Sequence, residues 1–201
     1  ELDLDADDQT FIKVVSNEDS EDKAPRLWSA LVGWEVISTP LGDINALFRI
    51  DRSTAYFTTL REILHMVDIH DLLTLYGLVV KYYENHHVAG ARLILWRDLQ
   101  VLFDSQEGGK GSFVWHHQHL WLIRSWRLYT LSNVHVLETI YGEVVYMFAD
   151  VSYPFSVKLM ERMLKHKLEI DKDVVGNDMI TAEQLIQFIK NQLVAAQVSP
   201  A

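Results

Sequence analysis

Nine histidines in a chain of 201 residues are the first place to look for chemistry. Imidazole is the commonest protein metal ligand and the side chain that titrates nearest neutrality. Two clusters stand out, His86-His87 and His116-His117-Gln118-His119. Neighbouring histidines converge on one ion when a helix spaces them i,i+4 or a tailored loop folds around the metal. Neither cluster has that spacing or a carboxylate at a fixed offset, so both read as surface or interface histidines and no metal is expected. Asp98 and Asp104 lie six apart on a presumed helix and do not share a face. Asp68 and Asp71 bracket a helix break and read as caps. Gly108-Gly109-Lys110-Gly111-Ser112 resembles a phosphate loop. It lacks the Gly-x-x-x-x-Gly-Lys-Ser/Thr spacing and no buried strand precedes it, so a flexible connection is expected. There is no Gly-x-Ser-x-Gly elbow for acyl transfer. Asp3, Asp5 and Asp7 alternate as in a calcium loop, without its glycine and closing glutamate. No catalytic, cofactor-binding or metal-binding residue is assigned, and the reading leans away from an enzyme.

The six tryptophans offer a different kind of chemistry. Trp28, Trp34, Trp96 and Trp126 sit in apolar patterns and read as core. Trp115 and Trp121 flank the second histidine cluster in a polar neighbourhood. If they are exposed, they are partner-binding candidates, because aromatics dominate binding hot spots. Trp115, His116, His117, His119 and Trp121 are therefore the candidate partner-binding residues, with core packing of the tryptophans as the alternative.

The elements that must position these residues follow from periodicity and punctuation. Strands are expected at 34–39, 44–50 and 54–58, separated by the turns Pro40-Leu41-Gly42-Asp43 and Asp51-Arg52-Ser53. Thr59-Leu60-Arg61-Glu62 has capping-box spacing and opens a helix carrying Leu60, Ile63, Leu64 and Val67. A second helix, expected to be buried on a wide face, carries Leu72, Leu73, Leu75, Tyr76, Val79, Val80 and Tyr83, with Gly77 read as a close-packing point. Leu95, Trp96, Leu99, Leu102 and Phe103 mark a third. A long strand at 120–130, a turn at Asn133, and a hairpin over 134–139 and 143–150 about Tyr141-Gly142 follow. Ser156 caps a helix carrying Leu159, Met160, Met163, Leu164 and Leu168, with Leu164 expected to be buried against strands. Thr181-Ala182-Glu183-Gln184 opens a last helix through Leu193. The fold class is α+β, with antiparallel strands and about five helices. The order of elements also admits two similar strand-strand-helix-helix halves, Trp34–Tyr83 and Trp126–Leu193.

Charge divides the chain. Residues 1–26 hold nine acids and three bases, out of a net charge of −10 for the whole. Apart from Phe11–Val15 this stretch cannot bury enough apolar surface to offset its ordering entropy, so a disordered acidic leader is expected. A single α+β domain is expected over 27–196, with a frayed end at 197–201. An acidic body with scattered bases argues against nucleic-acid binding. No apolar run approaches the length of a membrane span. The acidic N-terminus is not a signal or transit peptide. The absence of cysteine excludes disulfides and thiol nucleophiles. An intracellular location, cytoplasmic or nuclear, is expected, and the first residue, a glutamate, suggests a fragment of a longer chain. A protein partner or self-association is the interaction left open; no small molecule is implied.

Long phrases carry a resemblance. Leu73–Ser105 (LTLYGLVVKYYENHHVAGARLILWRDLQVLFDS), Ser125–Glu138 (SWRLYTLSNVHVLE) and Val145–Leu193 (VYMFADVSYPFSVKLMERMLKHKLEIDKDVVGNDMITAEQLIQFIKNQL) resemble a segment of plant Copia-type retrotransposon polyproteins, downstream of the reverse transcriptase and RNase H part. The resemblance spans about 34–197 and implies a non-catalytic accessory domain. The enzymes of those polyproteins leave marks from which this chain departs. The polymerase turn is Tyr-x-Asp-Asp, whereas Tyr146-Met147-Phe148-Ala149-Asp150 has one carboxylate. The protease signature is Asp-Ser/Thr-Gly, whereas Asp104-Ser105 is followed by Gln106. The rival expectation is a degenerate or unrecognised nucleic-acid-processing module, which a convergent pocket of carboxylates would favour.

Overall fold

The structure is a computed structural model that describes residues 12–15, 29–86, 94–105, 112–166 and 168–171. The fold is α+β. In chain order the elements are β1 (Ile12–Val15), β2 (Leu31–Thr39), β3 (Gly42–Arg49), β4 (Thr54–Phe57), α1 (Leu60–Leu64), α2 (Ile69–Asn85), α3 (Ile94–Asp104), a 3₁₀ helix (Ser112–Leu120), β5 (Ile123–Tyr129), β6 (Val134–Thr139), β7 (Val144–Phe148), α4 (Val157–Lys165) and β8 (Leu168–Asp171). Strands β2-β3-β4 form an antiparallel sheet. A second sheet has the order β1-β8-β5-β6-β7, with β8 parallel to both β1 and β5.

Side-chain alternation explains the layering. In β6, Val134 and Val136 point to one face and His135 and Leu137 to the other; in β7, Tyr146 and Phe148 oppose Val145 and Met147. Both faces of this sheet are apolar, so both must be covered. One face packs with α1, α2, α3 and the three-stranded sheet around Leu47, Leu64, Leu72, Leu75 and Leu99. The other packs with α4, the 3₁₀ helix and Tyr153 and Phe155. A buried ion pair fastens the first core: the Arg49 Nη1 donates to Asp71 Oδ2 at 2.8 Å, with both side chains almost fully enclosed. Asp71 Oδ1 accepts from the Leu31 amide at 2.9 Å, and Arg49 Nη2 donates to the Met66 carbonyl at 2.6 Å. One pair thus joins β2, β3, the α1–α2 connection and α2.

The helix starts follow local chemistry. Thr59 Oγ1 accepts from the Glu62 amide, while the Glu62 carboxylate accepts from the amide and hydroxyl of Thr58, one residue earlier than in the standard box. Asp68 caps α2 through the Asp71 amide at 2.8 Å, and Ser156 caps α4 through the Leu159 amide at 3.3 Å.

Several expectations are corrected. Part of the acidic leader is structured: Ile12–Val15, within the short apolar run, form a strand in parallel register with β8, gaining a ladder that sequence periodicity does not announce. Asp71 is not a cap but the buried partner of Arg49. Gly77 is exposed and a Cβ there would meet nothing within 4 Å, so it is not a close-packing point. The strand placed at 120–130 begins at Ile123, after the 3₁₀ helix. Leu168 belongs to β8 rather than to the preceding helix, and Leu164 is 42% exposed; Leu159 and Met163 form the buried stripe of α4 instead. Trp28, the Gly108–Gly111 connection and the helix placed at 181–193 lie outside the described residues.

The two halves correspond in their strands. The register Leu31↔Arg49, bulge, Gly33↔Phe48, Trp34↔Leu47 recurs as Ile123↔Thr139, bulge, Ser125↔Glu138, Trp126↔Leu137. The third strands keep step, with Leu47↔Ala55 and Asn45↔Phe57 matching Leu137↔Val145 and His135↔Met147. The second turns match bond for bond: Arg49 N to Ser53 O (3.0 Å) with Thr139 N to Glu143 O (2.9 Å), and Ile50 N to Ala30 O (3.0 Å) with Ile140 N to Leu122 O (2.9 Å). Arg52 and Gly142 sit at the same turn position with φ of 68° and 84°. Among the described residues the helical parts do not correspond: α1, α2 and α3 follow the first meander, whereas α4 and then a strand, β8, follow the second.

Candidate functional site

The histidine–tryptophan segment folds as the 3₁₀ helix, and its side chains divide by side. Trp115 and Trp121 are each only 3% exposed. The exposure that would have made them contact residues is not met, and their place is the second core. The Trp115 indole donates to the Ser105 carbonyl at 2.6 Å, and its ring packs against Trp121, Tyr153 and Phe155 at centroid distances of 5.6, 5.3 and 5.2 Å. Between them Gln118 clamps the helix to the chain before α4: its amide donates to Pro154 O at 2.8 Å and its oxygen accepts from Ser156 N at 2.8 Å. Arg162 of α4 donates to the carbonyls of His119 and Trp121 at 3.0 and 2.7 Å. His116, His117 and His119 are left on the outside. Among the described residues no three histidine, aspartate or glutamate side chains converge as a metal site would require.

Beside these histidines lies an apolar surface that sequence reasoning missed. Leu120 is 59% exposed, Leu122 45%, Ile140 50% and Tyr141 72%. The Ile140 amide donates to the Leu122 carbonyl, so the start of β5 and the β6–β7 turn bring these side chains to one end of the sheet. Leu120 ends the 3₁₀ helix and Leu122 lies between the buried Trp121 and Ile123; both side chains are left outside. The signal was legible as apolar residues flanking buried ones, but it needed the pairing of two distant segments.

A second constellation lies farther along β5. Ser125, Arg127 and Tyr129 alternate with the buried Trp126 and Leu128, and so share the face that looks toward α1. The bulge between Ile123 and Ser125 carries Arg124 to the same side, as bulges re-aim a side chain. With Arg61 from α1 and Glu138 from β6 they line a cavity of about 370 Å³. Glu138 holds two of the arginines: Arg61 Nη2 lies 3.1 Å from Oε2 and Arg124 Nη1 lies 3.6 Å from Oε1. The Ser125 hydroxyl also reaches Oε2 at 3.4 Å. Arg127 donates to Glu169 of β8 through Nη2 at 2.6 Å and Nε at 3.2 Å. The Tyr129 ring meets His65 edge-on at 4.7 Å.

Two titratable groups flank this region, the half-buried Asp98 and the buried Tyr146. Burial drives the Asp98 carboxyl up to about 6, against the opposing pull of Arg97 and of a hydrogen bond with Tyr146. Burial also raises the Tyr146 phenol, and the Asp98 charge adds to that. Across the sheet, His135 Nδ1 accepts from the Trp126 indole at 3.0 Å, which fixes the neutral tautomer with its proton on Nε2. Burial pushes His135 down to about 3. No helix among the described residues is long and apolar enough to cross a membrane. No protein-family model, curated protein or solved structure matches this chain.

Proposed function

We propose that the chain is a non-catalytic protein-interaction module, an accessory domain of a retrotransposon-derived protein. The observation that carries this reading is the cluster Leu120, Leu122, Ile140 and Tyr141, all substantially exposed at one end of the five-stranded sheet. Apolar side chains gathered in this way favour contact with another surface, whereas single ones are ordinary. Tyr141 supplies an aromatic anchor with a polar tip, the residue type enriched at hot spots. His116, His117 and His119 contribute the polar rim, in place of the tryptophans. The scaffold beneath is rigid, because Trp121, Ile123 and Gln118 are fixed in or against the second core. The rival reading, a nucleic-acid-processing module, needs carboxylates converging in a pocket. The groove beside α1 has one carboxylate among its lining residues, Glu138, and two arginines already hold it.

A peptide-display selection tests this directly. Peptides enriched on the native chain should lose binding to the Leu122→Asp/Tyr141→Asp variant while its melting temperature stays near the native value. Peptides that bind both forms equally, or a selection that enriches nothing, would refute the proposal.

A further inference from the structure

We propose that the groove lined by Arg61, Arg124 and Arg127 is a binding site for a small phosphate monoester, with lining residues other than those of the apolar interaction surface. Three guanidinium groups meet two carboxylates there, Glu138 and Glu169, leaving a local surplus of one positive charge in a chain of net charge −10. At physiological salt the screening length is about 8 Å, so these nearby groups, rather than the distant acids, set the potential in the cavity.

The charges are additional to what the fold requires. The first meander has the same bulged register, and its positions equivalent to Arg124, Ser125, Arg127 and Glu138 are Val32, Gly33, Glu35 and Phe48. The same hairpin is therefore built without any of these side chains. Nor is stability a sufficient reason for them. Arg124 is paired only at 3.6 Å with its side chain 66% exposed, and ion pairs of that kind contribute about 0–1 kcal/mol.

The chemistry points to a phosphoryl group. Arginine forks match phosphate oxygens in plane and spacing, and three guanidinium groups suit an anion with three terminal oxygens better than a second carboxylate. The Ser125 hydroxyl adds a neutral donor. Glu138 now draws Arg61 and Arg124 together, keeping the donors assembled at the cost of competing with the ligand. Tyr129 and Val136 supply an apolar wall for the ester group, and about 370 Å³ is the space of a small ligand.

Titration of the whole chain by NMR or calorimetry at constant ionic strength, about pH 7.5 so that the phosphate is a dianion, tests this. The probes are phenyl phosphate, inorganic phosphate and acetate. Phenyl phosphate should bind saturably, about tenfold or more tighter than acetate. Arg124→Gln should weaken it about fivefold or more, while Lys158→Gln, an equal loss of charge on α4, should change it less than twofold. Glu138→Gln should tighten binding, because the competing carboxylate is gone; if that variant does not fold, Arg124→Gln and Arg127→Gln decide. No saturable binding, equal binding of acetate, or equal weakening by Lys158→Gln would overturn the proposal.

Discussion

His135 and Asp98 set opposite pH dependences. The folded protein holds His135 neutral down to about 3, while the unfolded chain takes up a proton below about 6.5. Its contribution to stability is complete above about 6.5 and is lost as pH falls toward 3. Asp98 works the other way. Its folded value near 6 lies above the ordinary one, so its effect favours folding below about pH 4 and declines as pH rises to about 6. Asp98→Asn should therefore stabilise the protein at pH 7 by on the order of 1–3 kcal/mol, and should steepen the rise of stability with pH between about 4 and 6. Denaturant melts of both forms at several pH values check this; an unchanged or lower midpoint for the variant at pH 7 would contradict it. The His135 ring resonances should stay flat from about pH 7 to 5 in an NMR titration, whereas a midpoint near 6.5 would contradict its enclosure. Neither residue was legible in the sequence. His135 sits in an ordinary alternating strand, and its partner Trp126 is identified only once β5 and β6 are paired. Trp115 misled for a related reason: its polar neighbours suggested exposure, yet the 3₁₀ helix turns the indole inward to the Ser105 carbonyl.

Among the elements, α4 separates what periodicity can and cannot decide. The sequence shows a helix after Ser156, and the cap confirms its start. Which of the adjacent Met163 and Leu164 faces the sheet depends on the rotation of the helix, and β8 limits its length. Met163→Ala should cost about 2–5 kcal/mol, and Leu164→Ala less than about 1 kcal/mol. Equal losses measured by chemical denaturation would mean that the buried stripe is misplaced. The meanders were more legible, because turn residues punctuate them: Asn133 adopts a φ of 56° and Gly142 one of 84°. Arg52 occupies the equivalent turn position at 68°, where a side chain is strained. Arg52→Gly should stabilise the first meander by roughly 0.5–1 kcal/mol, opposed in part by glycine's greater freedom when unfolded. A lower melting temperature for the variant would contradict this.

Across the molecule, the α+β class and the order of most elements follow from local signals. The two-sheet arrangement does not, because it rests on long-range ties such as Arg49–Asp71 and on the parallel strands β1 and β8, short segments with little pattern of their own. Asp71→Ala leaves Arg49 enclosed without its partner and should cost about 3–5 kcal/mol. A loss below about 1 kcal/mol would show that the pair does not fasten α2 to β3. The acidic balance of the chain also bears on its partners. A groove with a surplus of one charge would release few counterions from a polynucleotide, so no binding of short labelled oligonucleotides is expected at about 0.15 M salt by anisotropy. Micromolar binding there would bring the nucleic-acid reading forward. The most direct test of the interaction surface is amide hydrogen exchange with a peptide from the display selection bound. Protection should rise at 118–123 and 139–143, with the outer face of β2 and β4 unchanged. Protection confined to β2 and β4, with none at the β6–β7 turn, would contradict the account.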